Sequence, residues 1–147
     1  MRRFGLAILA TALAAVPLLA AAADDVRSRI AAYRELGIAS KNAKDELAKG
    51  SPNVMIVQMA AREIGNAAKA MPGWFPNGTG PQPGVKTRAK PEIWTKAGEF
   101  KAAQNVFVAQ AAVFMKAAAS GDMEAMRAEH RKLASTCTNC HNNFRNE

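Results

Sequence analysis

Cys137, Cys140 and His141 fall within one pentapeptide, Cys137-Thr138-Asn139-Cys140-His141. Two thiols three residues apart can each add to one vinyl group of a single haem, and the imidazole beside the second thiol is then placed to ligate the iron. Offsets of three and four residues put all three side chains on one face of a helix, so this chemistry asks for a helix here. Three other chemistries use the same residues. A redox-active dithiol of the thioredoxin kind expects a βαβ context, and no strand-like alternation occurs in this chain. A zinc site could recruit His130 as a fourth ligand, but such sites ordinarily draw ligands from two separated segments. A disulfide would be strained inside a helical turn and would leave His141 without a role. Haem attachment uses all three residues together.

The elements that must position this motif are helices. Met123, Met126, His130, Leu133, Cys137, Cys140 and Phe144 recur at three- and four-residue steps, so the motif lies on the core-facing stripe of a last helix. Ile93, Ala97, Phe100, Gln104, Phe107, Ala111, Phe114 and Ala118 form a matching seam on a third helix opened by Pro91-Glu92. Ser120-Gly121-Asp122 is the turn between these two. A second helix carries Val54, Val57, Ala61, Ile64, Ala68 and Met71 inward, with Ser51-Pro52 as its cap and first helical residue. The first helix, 24–49, has Val26, Ile30, Tyr33 and Gly37 at helical spacing, with Arg34 and Ile38 together beside that stripe. Glycine and proline punctuate 72–90 and predict an irregular crossing of one end of the bundle, with Trp74 and Phe75 tucked against the core or a cofactor. The fold class is all-α: an up-down-up-down four-helix bundle with covalently attached haem.

Met1-Arg2-Arg3, an apolar run over 6–19 and Ala21-Ala22-Ala23 read as a cleavable signal peptide over 1–23. Residues 24–147 then form one domain of about 124 residues, with no integral membrane segment after cleavage. Pro17 and the alanine cluster argue against a retained anchor. Export leads to an oxidising compartment, where thioether formation removes both thiols from the disulfide that would otherwise be expected. The chain has 20 Lys and Arg against 12 Asp and Glu, a formal charge of +8. Such a balance suits acidic redox partners, whereas the lack of a basic run or of interleaved aromatic and basic residues argues against nucleic acid.

These residues resemble the cytochrome c′ family along essentially the whole of 24–147. The likeness is carried by Tyr33-Arg34, by Trp74-Phe75 through Gly80, by Arg88-Ala89-Lys90-Pro91-Glu92-Ile93-Trp94, and by Cys137 through Arg145. It implies one haem c bound through Cys137 and Cys140, with His141 as axial iron ligand and Arg145 flanking that side. Members of the family divide into those with a helix-one methionine on the iron and those with an apolar residue there. Four residues after Arg34 stands Ile38, which has no donor atom, and helix one has no methionine. The resemblance therefore implies a five-coordinate iron walled by Ile38, open to NO or CO. Arg34 either pairs a propionate at the haem edge or is a plain surface residue. Met55, Met59, Met71, Met115, Met123 and Met126 read as packing residues. His130, which departs from the family, reads as a histidine at a helix seam.

The resulting expectation is a periplasmic haem c protein that exchanges single electrons with redox partner proteins and binds NO or CO. It is not an enzyme, and a homodimer through helices one and two is implied by resemblance. The alternatives are a six-coordinate, low-spin electron carrier with a methionine ligand, and a non-haem helical bundle whose cysteine pair binds metal or forms a disulfide.

Overall fold

The computed structural model describes residues 15–81 and 84–147, the side chains from residue 20 onward. The first part of the expected signal peptide, 1–14, lies outside the described residues. Among the described residues five helices follow in order: α1 (Ala15–Leu47), α2 (Val54–Ala70), α3 (Glu92–Thr95), α4 (Ala97–Ser120) and α5 (Met123–Phe144), with a 3₁₀ turn at Met71–Gly73. The four long ones make the bundle. α1 packs on α2, α2 on α4 and α4 on α5, while α1 and α5 meet over a smaller area.

Local chemistry explains most of the boundaries. Asn53, rather than Ser51, caps α2, its side chain accepting from the Met55 amide at 2.9 Å. The Asn53 amide in turn donates to the buried Glu46 carboxylate at 2.7 Å, which fixes the turn out of α1. Gly121, at φ 76°, ends α4 in the left-handed region that glycine adopts without strain. Asp122 then caps α5 by accepting from the Glu124 and Ala125 amides.

Two elements differ from expectation. The third helix is interrupted: Lys96, at φ −119° and ψ 45°, leaves helical geometry and separates α3 from α4. The short α3 is held sideways by Ile93, buried with Phe100 and Phe144. The second difference is the rotation of α1. Its buried residues are Ala23, Val26, Arg29, Leu36, Ala39, Ala43, Glu46 and Leu47, with Tyr33 partly buried among them, while Gly37 is exposed. Five residues turn an α-helix by about 140°, so Tyr33 and Ile38 cannot both face inward. The helix resolves the conflict in favour of Tyr33.

The interior has two parts. A main core joins α1, α2, α4 and α5 through Ile64, Phe114, Met126 and Leu133, all essentially inaccessible. Burying side chains of this size contributes about 1.5–3 kcal/mol each. A smaller aromatic core of Ile93, Phe100 and Phe144, with Phe75 and Trp94 against it, closes the end of the bundle crossed by 72–90.

Candidate functional site

The attachment motif sits where the two cores meet. Cys137 packs against the main core and Cys140 against the aromatic one, and both are half-buried free thiols on α5. Burial pushes both thiols above their ordinary range, and Cys140 is raised further by its neighbour Cys137. That is the opposite of the depressed thiol that a redox-active dithiol requires. Among the described residues, no three His, Cys, Asp or Glu side chains converge as a metal cluster.

His141 lies in the last turn of α5, exposed, at the edge of the motif. Arg145 Nη1 lies 3.3 Å from His141 Nδ1, and because a guanidinium can only donate, Nδ1 is the acceptor. Partial burial, then Arg145 and then Arg88, hold the imidazole below the usual histidine range. The ring is thus kept in the neutral form that a metal takes. Ligation through Nε2 would place the ring proton on Nδ1 and release the guanidinium.

Across from the cysteines stands α1, and here the structure brings forward residues other than those expected. Arg34 is exposed and Ile38 is 47% exposed, so neither is packed in the protein core. The inward pair is Arg29 and Tyr33, likewise four residues apart. The Tyr33 hydroxyl is pushed far above the ordinary phenol range, first by burial and then by the nearby Cys140 thiol, with Cys137 adding to it. Its ring meets Trp74 edge-on at 4.9 Å and lies 6.0 Å from Phe75.

Arg29 is 3% exposed, an unusual burial for a cation without a carboxylate against it. Its guanidinium donates to the Thr79 hydroxyl at 3.0 Å and the Thr79 carbonyl at 2.8 Å. It also lies over the rings of Phe75 and Trp94, at 4.6 and 5.5 Å from their centroids. The glycine-rich crossing is therefore tied to α1 by one buried cation, and Trp74 and Phe75 are tucked inward as expected. No local signal marks Arg29 as inward, because its partner Thr79 lies 50 residues on.

His130 is buried on α5, its Nε2 3.2 Å from the Ser40 carbonyl and its ring edge-on to Phe114 at 5.4 Å. It spans the α1–α5 seam and is a packing residue with its polar edge satisfied.

Residues 24–145 match the family model described as Cytochrome C′. The chain belongs to the cytochrome c′ family. A cytochrome c′ from Pararhodospirillum photometricum is 37% identical over 86 residues, covering 58% of this chain and 66% of that one. One from Allochromatium vinosum is 29% identical over 143 residues, covering 96% and 92%. Among solved structures, a cytochrome c′ with ligand-controlled dimer dissociation superposes with a TM-score of 0.81 at 27% identity, over 86% of this chain and 97% of that one. The Thermochromatium tepidum cytochrome c′ has the same TM-score at 26% identity and the same coverage. A nitric oxide complex of a variant cytochrome c′ from Alcaligenes xylosoxidans shares the fold, with a TM-score of 0.77 at 22% identity over 86% and 97% of the two chains.

Cytochromes c′ carry covalently attached haem c, and the side chains on α5 suit that group. Two unpaired thiols share a helix face at the junction of the cores, and a neutral imidazole follows in the next position. Cys140 also lines an open groove of about 250 Å³ in which Ala103, Val106 and Phe144 alternate with Glu99, Thr136, Asn139 and Asn143.

Proposed function

We propose that this cytochrome c′ is a periplasmic protein that passes single electrons and binds NO or CO at a five-coordinate haem iron, without turning over a substrate. The haem supplies a one-electron ferric/ferrous couple and an iron that can take a small diatomic ligand. The chain's own residues decide which ligands are admitted and how they are held. Cys137 and Cys140 anchor the group, and His141 offers one axial nitrogen.

The observation that carries the reading is the identity of the side chain that α1 turns toward the motif. Tyr33 would close the remaining side. Burial, the largest cause, raises the Tyr33 pKa and so disfavours the phenolate that iron takes as a ligand. A neutral phenol leaves the position free while offering a hydrogen bond to a bound diatomic. A methionine ligand finds little support: Met55 and Met59 are 66% and 50% exposed. Met71, Met115, Met123 and Met126 are engaged in the main core. The nitric oxide complex within the family accords with this reading.

Export to the periplasm is supported by the basic and apolar pattern of 1–23, and among the described residues no helix is long and apolar enough to cross a membrane. A homodimer is supported by Ile38 on α1 and by Met55, Ile56 and Met59 on α2, all large apolar side chains left exposed. The deciding experiment is optical and electron paramagnetic resonance spectroscopy of the purified protein, ferric and ferrous, with and without NO. A high-spin or mixed-spin ferric signal and a ferrous NO adduct are expected, and a purely low-spin ferric signal would overturn the open-site reading.

A further inference from the structure

Basic charge is concentrated in one place beside the attachment motif. Arg88, Lys90 and Arg145 line an open groove of about 440 Å³ together with His141 and Glu147. Among the described residues, the ion pairs lie elsewhere: Arg27–Asp24, Lys41–Asp45, Lys49–Glu46, Lys96–Glu99 and Lys132–Glu129. The three groove cations instead rest on neutral groups. Arg88 Nε donates to the Asn146 carbonyl at 2.8 Å, Lys90 Nζ to the Asn142 carbonyl at 3.0 Å, and Arg145 to the His141 ring.

Cations at a helix C-terminus are favoured by its dipole, which accounts for Lys90 on Asn142. It does not account for three of them around one imidazole. The backbone makes the arrangement rigid: the Lys90 amide donates to the Phe144 carbonyl at 3.0 Å, and the Asn146 amide to the Arg88 carbonyl at 2.8 Å. Ala89 and Arg145 form an isolated antiparallel bridge between these bonds. Arg88 and Lys90, each held on a backbone carbonyl before an encounter, lose little freedom on docking, so their attraction is kept for the partner.

We propose that this groove is the docking surface for an acidic redox-partner protein. The inference rests on the electron-transfer reading above, because it makes His141 both the iron ligand and a wall of the groove. The groove is open and broad rather than enclosed, which fits a protein face better than a small molecule. Two guanidiniums and an ammonium match a cluster of surface carboxylates, with arginine able to bind bidentately. Attraction of this kind raises encounter rates and weakens with salt.

The test uses the haem-loaded protein and flavodoxin, a small acidic electron-transfer protein, at low ionic strength. Backbone NMR shifts on titration are expected to centre on 86–90 and 141–146. In stopped-flow reduction of the ferric protein by reduced flavodoxin, the Arg88→Gln/Lys90→Gln double variant is expected to be slower by about tenfold, a typical steering effect. Lys69→Gln/Lys116→Gln, on α2 and α4, should stay within about twofold of the parent. The charge-preserving pair Arg88→Lys/Lys90→Arg should keep most of the rate, which separates charge from any loss of structure. Scattered shifts, or equal slowing in the control pair, would overturn the proposal. So would an equal loss with ferricyanide as a small anionic oxidant of the ferrous protein, since that reports only a general field. Localised shifts without electron transfer would remove the electron-carrier role and leave the docking surface standing.

Discussion

α5 and α1 face each other across the site and are built on different principles. α5 turns one regular stripe inward, Met126, His130, Leu133, Cys137, Cys140 and Phe144, and its chemistry is fixed by covalent spacing within a single helix. α1 turns inward a mixture that no local rule would bury: Arg29, which donates to Thr79; Tyr33, whose ring meets Trp74 edge-on; and Glu46, which accepts from the Asn53 amide. Attachment can therefore be specified by five consecutive residues, whereas the cluster around Arg29 and Tyr33 is assembled from 29, 33, 74, 75, 79 and 94. Changes on α5 should act on whether haem is held, and changes on α1 on what the held haem does.

The strongest way to break that division is to remove the thiols. Cys137→Ser with Cys140→Ser should abolish covalent haem, read as loss of the alkaline pyridine haemochrome band in denatured protein. Full covalent haem in that variant would end the assignment of the motif. Tyr33→Phe and Ile38→Ala, by contrast, should each retain covalent haem at the parental level.

Next in size is the buried cation. Arg29→Ala removes two hydrogen bonds to Thr79 and the stacking on Phe75 and Trp94, which together predict about 3 kcal/mol of lost stability in denaturant unfolding. Arg34→Ala, at an exposed position, should stay within about 0.5 kcal/mol. Equal effects at 29 and 34 would mean that α1 is rotated from the orientation described.

The contrast between the helices is also a contrast in legibility. The expected seams of α4 and α5 are buried almost residue for residue, Ala97 being the exposed exception, because their apolar spacing is regular and one-sided. Arg29 could not be read inward from its own neighbourhood, since its partner Thr79 lies 50 residues away. Once a charged residue is taken as outward, the inward stripe is read through Ile30, Tyr33 and Gly37 in place of Arg29, Tyr33 and Leu36, while the placement of Ile38 at the pocket comes from the family resemblance. Pro91-Glu92 opened the third helix as expected, yet the interruption at Lys96 has no local signal because it follows from the docking of Ile93 in the aromatic core. The basic groove was hidden for the same reason, two of its cations coming from 88–90 and the third from 145.

A smaller effect sharpens the role of the phenol. Tyr33→Phe keeps the ring on Trp74 and deletes only the hydroxyl. If that hydroxyl holds a bound diatomic by one hydrogen bond of about 1 kcal/mol, CO dissociation should quicken about fivefold. Ile38→Ala should leave that rate unchanged and act instead on the monomer–dimer balance in sedimentation. A reversal of these two outcomes would make Ile38, and not Tyr33, the α1 side chain that acts on the bound ligand.

The smallest effect expected lies in the seam between the two helices. Burial, followed by Lys44, lowers the His130 pKa, against the opposing pull of the Ser40 carbonyl. Of the groups on the elements packed around it, Lys44 and the Ser40 carbonyl belong to α1 and the Phe114 ring to α4. A histidine whose folded pKa lies below its unfolded one binds more protons when unfolded, so its contribution is fully present above the ordinary value of about 6.5. It is lost as pH falls from there toward the folded value and is constant below. The chain has two histidines, and with His141 engaged by haem this slope belongs to His130. Asp45, Glu46 and Glu129 are lowered mainly by hydrogen bonds, so their losses come at lower pH, below the ordinary carboxylate range. His130→Gln, which can still donate to Ser40, should flatten stability against pH just below 6.5 while leaving the acid limb in place. An unchanged slope in that variant would mean that the α1–α5 seam opens enough in solution to hydrate the imidazole.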